Sequence, residues 1–372
     1  MTTDIHEQLR RTARDLLQKE CPPSHVRSLI GDERGYSPEL WRIMADVGWT
    51  GLNVPEEHEG AGLGFGELAI VLEEAGRALL PGPFLATTVL GAMPIALAGS
   101  EEARSRLLPG VARGEIILTG AYFEPGSWFD WAAVSTVAKA SGEGFTLTGV
   151  KFPSPFAHVA DYIVTTARDG DGKLGLFVVD ARAAGVAVSA VETLDWQMEG
   201  EVALDEVAVP GEFVLASSDG ESMVERVVRA AATATSLLSL GAASKALEMA
   251  NEYARSRVAF GRPIGTFQAI KHKLANMLVD VEAGRALAYK AVQTIVEETP
   301  DEAEAVAAAK AWCSDAARHV TNEAMQIHGG IGYTWEHDMH LYLRRAQALA
   351  RSFGDADFHR DAVARLKFGE AR

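Results

Sequence analysis

The chain has 372 residues, 48% of them hydrophobic and 23% charged, which suits a soluble globular protein with a core two or three layers deep. Its formal net charge of -16 speaks against a nucleic-acid footprint. Two cysteines, Cys21 and Cys313, are too few for a disulfide framework and fit a reducing cytoplasm.

The N-terminus, MTTDIHEQLRR, has no apolar signal core. Residues 1–114 read as a helical domain. Ile5, Leu9, Ala13, Leu16 and Leu17 make one apolar stripe, which Pro22-Pro23 ends. Ser37-Pro38-Glu39 starts a second helix and Gly48 stops it. Gly60, Gly62, Gly64 and Gly66 form a glycine-rich connection without the Lys-Ser or Lys-Thr of a phosphate loop. Helices are expected over 67–79 and near Thr87, with Pro109 and Gly114 closing this part.

Over 115–220 the period changes to two. Residues 134–140, 145–150, 162–167, 174–179 and 202–209 read as strands, and Asp169-Gly170-Asp171-Gly172 as a hairpin turn. Helices, then strands, then helices predict a mainly helical α+β chain with an antiparallel β domain in the middle. Residues 221–372 read as a four-helix bundle: one helix over 221–257, a second after a cap at Thr266, a third from Thr299-Pro300-Asp301-Glu302, and a last over 335–353. The small-apolar stretch 230–243 contains Thr and Ser and is shorter than a membrane span, so it reads as buried helix.

Candidate binding residues cluster where two of these helices end. Arg257 offers a guanidinium fork to a pyrophosphate. Gln268 and Gln326 offer amides to a nucleotide, and Gly329 and Gly330 admit a ligand close to the backbone. Taken singly, the same residues read as a helix C-cap and two surface glutamines. His328, His337 and His340 beside Glu336 span a turn and a helix start, so no zinc site is expected there. Trp49, Trp128, Trp131, Trp196 and Trp335 read as core and interface packing.

Taken together, R-x-x-F-G-R-P-I from Arg257, Q-A-I from Gln268 and Q-I-H-G-G-I-G-Y from Gln326 resemble the C-terminal helical domain of the acyl-CoA dehydrogenase family. The resemblance implies an N-terminal helical domain, a middle β domain and a C-terminal four-helix bundle. It implies FAD as cofactor, an acyl-CoA substrate and an oligomer, a tetramer in the closest pattern. Arg257, Phe260, Gln268, Gln326, Gly329 and Gly330 would touch FAD bound mainly by a neighbouring subunit.

The family removes a proton α to a thioester and passes a hydride from the β carbon to flavin. Its base is a glutamate at one of two places. Phe353, before Gly354-Asp355, stands at the first, leaving Asp355 as a displaced candidate; Ala231-Ala232-Thr233 stands at the second. In the segment matching T-E-P-x-x-G-S-D, Phe123 and Phe129 replace the threonine and serine. In the segment matching W-I-T-N, Pro153 and Pro155 replace the tryptophan and threonine. The residues lent to a neighbour's FAD are present, and those used on the chain's own flavin and substrate are altered. The chain thus resembles the base-lacking subunit type of heterotetrameric acyl-CoA dehydrogenases of bacterial steroid side-chain degradation, with a second subunit as partner. A homomeric flavoenzyme of this fold with another base or chemistry, and a structural paralogue without flavin, are the alternatives.

Overall fold

The structure, a computed structural model, describes residues 4–216 and 220–369. In chain order come α1 (Asp4–Glu20), α2 (Pro23–Ser28), α3 (Pro38–Asp46), α4 (Phe65–Arg77), a π-helical stretch (Ala86–Ala92), α5 (Met93–Ala98) and α6 (Glu101–Ala112). Eight strands follow: β1 (Leu118–Ala121), β2 (Val137–Ser141), β3 (Gly144–Pro155), β4 (Tyr162–Arg168), β5 (Leu174–Asp180), β6 (Val186–Glu192), β7 (Met198–Val209) and β8 (Val214–Ala216). The rest is α7 (Gly220–Ser256), the short β9 (Val258–Ala259) and β10 (Arg262–Pro263), α8 (Gln268–Glu297), α9 (Glu302–His328), α10 (Met339–Leu349) and α11 (Ala356–Phe368). The fold class is as expected: mainly helical, with the strands in one middle block.

The chain packs as two compact units. One runs through Arg27, takes in Ala69–Leu80 and resumes from Ala232; the other is Ser28–Leu68 with Pro81–Ala231.

The second unit is built on a mixed sheet of order β6-β7-β3-β2-β4-β5-β8, with β1 beside β4. Most ladders are antiparallel, as alternation and tight turns favour. The exceptions lie at β4, which pairs in parallel with β1 over four residues and with β2 at Val137 and Arg168. The β2–β3 hairpin between β1 and β4 supplies the long crossover that a parallel pair needs. The Asp169–Gly172 turn forms as read: Asp169 N–H donates to Lys173 O at 3.0 Å and Gly172 takes φ +80°. α6 is an unanticipated helix, capped by Ser100, and Pro109 lies inside it rather than closing it. Burial of Leu107, Leu108 and Val111 outweighs the backbone bond that Pro109 loses.

The first unit is the helical one. α9 packs against α8, α10 and α11. α4 and α7 touch backbone to backbone: a Cβ on Gly76 would lie 2.1 Å from Leu238 O, and one on Gly241 2.0 Å from Glu73 O. Only glycine permits that approach. α7 is long and apolar enough to cross a membrane by length and composition, and most of its apolar window is buried in the protein.

Three helix boundaries differ from the sequence reading. Thr266 does not cap α8; its hydroxyl donates to Pro263 O at 2.7 Å, and Phe267 takes the cap position. Thr299 turns its hydroxyl to Asp301 Oδ1 at 2.6 Å, and α9 starts only at Glu302. The helix expected over 335–353 is shorter, Met339–Leu349, and Asp355 opens a further helix, α11, by accepting Phe358 N–H at 2.9 Å.

Two buried acids tie the helical unit together. Glu73 on α4 accepts from Arg10 of α1, from Tyr289 of α8 at 2.7 Å and from Arg285 of α8. Glu74 takes a bidentate contact from Arg14 at 2.7 and 2.9 Å. Arg77 closes the set on Glu248 of α7 at 2.6 and 2.8 Å. Burial alone would raise the Glu73 carboxyl, but Arg285, Arg10 and the Tyr289 hydroxyl outweigh it and hold it below the usual carboxylate value. A depressed folded value gives stability that is present above about pH 4.3, the unfolded value, and lost as pH falls through the folded one. Glu73→Gln leaves Arg10 and Arg285 without their acid, so it should cost on the order of 3 kcal/mol at pH 7. Between about pH 5 and pH 3 its stability should fall less steeply than the wild type's. Denaturant unfolding across that range checks both; parallel pH profiles would contradict the role given to Glu73.

Candidate cofactor site

The candidate residues of the helical unit form two corners. The first is the hairpin after α7. Arg257 N–H donates to Tyr253 O at 2.8 Å, continuing the last turn of α7, and Ile264 N–H donates to Arg257 O at 2.8 Å, closing the hairpin. Phe260 and Gly261 make its tip with φ of +52° and +77°. A two-residue turn with both central φ values positive is the kind that matches strand twist, and phenylalanine is an unfavourable occupant of its first position. The Phe260 side chain is 95% exposed. The Arg257 side chain is exposed and meets no acid or acceptor among the described residues. Gln268, the first residue of α8, is exposed too.

The second corner ends α9. Gln326 Nε2 donates to Tyr333 Oη at 2.6 Å. Gly329 ends the helix with φ +62° and ψ -143°, a conformation open to glycine alone. A Cβ on either Gly329 or Gly330 would meet nothing within 4 Å, so the backbone there faces open space.

Tyr253 joins the corners. Its ring stacks on His328 at 4.6 Å between centroids, and His328 lies 4.6 Å from His337. Burial lowers the basicity of His328 and His337, which leaves both rings neutral at pH 7 and free of mutual repulsion. Beyond them Trp335 stacks on His340 at 4.9 Å, and Arg27 lies 5.6 Å over Trp335 while donating to Asp338 at 2.8 Å. The stack ties the end of α7, from which the hairpin with Arg257 and Phe260 leaves, to the end of α9, where Gln326, Gly329 and Gly330 lie. Tyr253, Tyr333 and the histidines were missed as supports of these corners; the spacing of Tyr253 from His328 in sequence gave no signal of their contact.

Asp355 does not sit as a free base. Its carboxylate caps α11. Around it lie Arg318, Arg351, Arg360, Asp315 and Asp357, a polar recess rather than the apolar pocket an acyl chain needs. Phe353, at φ +57°, is fixed by its carbonyl, 2.9 Å from His359 Nε2. Below this loop the ammonium of Lys310, fully buried and pushed down to about 7 by burial, donates to Leu349 O at 2.7 Å and Ser314 Oγ at 3.1 Å. Ala231 and Ala232, which the resemblance sets at the other place of the family base, are buried at 0% and 1% exposure.

In the sheet unit, the loop that carries Phe123 to Asp130 is clamped at its base. The Glu124 carboxylate accepts from Ser135 and Thr136 through both backbone and hydroxyl groups, and from Lys151 Nζ at 2.8 Å. Lys151, fully buried, also donates to Thr166 at 2.9 Å. Burial opposes the charge on Glu124, but Lys151 and the hydroxyls hold its carboxyl down to about 2. At the tip of the loop Trp128 and Phe129 take φ of +48° and +72°, and Trp128 is 84% exposed. Trp128 is therefore not part of this chain's core. Pro153 and Pro155 lie where β3 slips register against β7, between Lys151 and Ser154, which is where a strand tolerates proline. Pro155 O accepts the Thr119 hydroxyl, so the segment is tied into the protein by its carbonyl.

FAD fits the helical corners: an unpaired guanidinium, two amides, an exposed aromatic ring and open glycine backbone suit a phosphate-rich aromatic group. The sheet unit fits a flavin of its own poorly. On the resemblance, Pro153 and Pro155 stand at the places of the ring-packing tryptophan and the threonine donor, and bulky Trp128 at that of a motif glycine.

The model of the acyl-CoA dehydrogenase N-terminal domain matches residues 3–115, and that of the C-terminal domain matches residues 219–367. Acyl-CoA dehydrogenase IpdE2 of Mycolicibacterium smegmatis is 32% identical over 355 residues, 95% of each chain. Among solved structures, a variant of the Tcur3481-Tcur3483 steroid ACAD superposes with a TM-score of 0.90 at 33% identity, covering 98% of each chain. The ChsE4-ChsE5 complex from Mycobacterium tuberculosis gives 0.91 at 29% identity, covering 100% of this chain and 99% of the other. Two matched domains and a relative similar along nearly its whole length show that this chain belongs to the acyl-CoA dehydrogenase family, whose cofactor is FAD.

Proposed function

We propose that this chain is the base-lacking subunit of a heteromeric acyl-CoA dehydrogenase that acts on a steroid side-chain acyl-CoA. The observation that carries the reading is the contrast between its two halves. Arg257, Gln268, Gly329 and Gly330 stand open on the helical unit, with the Gln326 amide held by Tyr333 beside them, while a phenylalanine, two alanines and two prolines stand where the resemblance sets a base and flavin partners. The relatives support a heteromer: two of the similar structures are the Tcur3481-Tcur3483 steroid ACAD and the ChsE4-ChsE5 complex, each named for a pair of components.

In this reading FAD supplies the acceptor for the hydride leaving the β carbon. This chain's own residues bind and orient. Arg257 neutralises the pyrophosphate through its guanidinium fork, Gln268 and Gln326 hydrogen-bond the nucleotide, and Gly329-Gly330 lets it lie against the backbone. The carboxylate that takes the α proton comes from the partner subunit, since a base must come within about 3 Å of that proton and neither Phe353 nor Ala231 nor Ala232 can accept it.

A homomeric flavoenzyme with different chemistry is the second reading. Three polar atoms without a partner lie near the end of β3: Ser154 Oγ, His158 Nδ1 and Glu199 Oε2. Burial, then the charge of Asp195, pushes the Glu199 carboxyl up to about 8, so it is a neutral acid at pH 7 with a proton to donate. These groups favour a polar ligand at that edge.

Two substitutions test the proposal. Arg257→Ala in the assembled oligomer should weaken FAD retention ten- to roughly a hundredfold, the loss of one charge-assisted bond. FAD content that does not change in a titration would make the residue structural. Asp355→Asn keeps an α11 cap of nearly equal quality, so stability should change by less than about 1 kcal/mol. Activity of the heteromer should be retained. An active homo-oligomer of this chain that the change silences would establish Asp355 as the base and remove the half-site reading.

A further inference from the structure

The segment 253–279 contains Arg255, Arg257, Arg262, Lys271 and Lys273 and no Asp or Glu, in a chain of net charge -16. Lys273 is neutralised by Glu323. Arg257 and Arg262 have no carboxylate partner among the described residues. They occupy the two arms of one hairpin. Ala259 pairs with Arg262, and Val258 with Pro263. The Ile264 N–H to Arg257 O bond carries the pairing one step further, so that Arg257 opposes Ile264. Residues opposed across an antiparallel ladder share a face, and faces alternate along each strand. Arg257 and Arg262 therefore lie on the same face, separated by the small side chain of Ala259.

Arg262 is also held in place. Its guanidinium lies 4.3 Å from the centroid of the Phe267 ring, and Phe267 meets Phe260 edge-on at 6.1 Å. Stacking fixes the plane of the guanidinium and leaves its N–H edge free for a planar or tetrahedral anion. Two like charges on one small exposed hairpin repel each other until an anion of two or more charges lies between them.

We propose that Arg262 is a second phosphate-binding residue, which together with Arg257 grips the two phosphoryl groups of one diphosphate, that of the dinucleotide cofactor. The proposal rests on the reading of this hairpin as the one that completes a neighbour's FAD. It adds a residue outside the set Arg257, Gln268, Gln326, Gly329 and Gly330, and gives Phe267 the task of orienting it.

The test uses the assembled flavoprotein, with FAD dissociation followed by flavin fluorescence over a range of ionic strength. Three variants are compared: Arg262→Met, Arg262→Lys and Arg257→Ala, with thermal melting and gel filtration confirming assembly. Arg262→Met keeps an apolar stem against Phe267 and removes the charge. It should weaken FAD about tenfold and flatten the salt dependence, as losing one ionic contact does. Arg262→Lys should recover part of the affinity and all of the salt dependence. If Arg262→Met binds FAD like the wild type while Arg257→Ala weakens it, Arg262 has no phosphate role and the half-site reading stands. If neither change matters, both fall. If Met and Lys lose affinity equally with an unaltered salt dependence, Arg262 acts through packing alone and the proposal is overturned.

Discussion

The carboxylates of Glu73 and Glu74 are the constraint on which the helical unit depends. They sit on α4, buried at 1% exposure each, and draw arginines from α1 and α8 inward, while Arg77 one turn along reaches Glu248 on α7. A buried carboxylate without such partners would cost several kcal/mol, so the partners cannot drift independently. The same crossing brings α4 and α7 into backbone contact at Gly76 and Gly241. α7 and α8 thereby leave the network with fixed directions, and the hairpin that joins their ends inherits them. Tyr253, one turn before Arg257, then locks that hairpin to the end of α9 through His328.

This chain of support explains how exposed residues can be preorganised. Arg257, Phe260, Gln268 and the Gly329-Gly330 backbone carry almost no packing of their own. Their order comes from the elements they terminate. In the sheet unit the logic is inverted. The base of the 123–136 loop is held by five donors on the Glu124 carboxylate, yet its tip carries Trp128 and Phe129 in left-handed conformations. The loop thus has a rigid base and a tip that presents a large exposed aromatic ring.

Much of this was legible in the sequence because local signals and tertiary outcome agree. Ser37-Pro38 caps α3, the Asp169–Gly172 turn closes β4 on β5, and Gly329 stops α9. Two of the misread boundaries share a cause: a polar side chain near a helix start had more than one partner available. Thr266 chose Pro263 O and Thr299 chose Asp301, so their helices begin later than the capping pattern implied. β1, β6 and β8 escaped notice for other reasons. β1 is four residues with a central glycine, β8 is three residues long, and β6 is mostly exposed and shows no strict alternation of apolar residues. The candidate site was legible as residue types at fixed spacing. Its supports were not, since the Tyr253–His328 stack and the Glu124–Lys151 pair join residues 75 and 27 positions apart.

The central claim is that this chain completes a flavin site it does not own. Visible absorbance of the purified protein tests it most directly, with the chain produced alone and co-produced with a second acyl-CoA dehydrogenase subunit. The account predicts a colourless chain alone and a yellow complex that contains both chains and one FAD for each pair. A yellow homo-oligomer with one FAD per chain would contradict it.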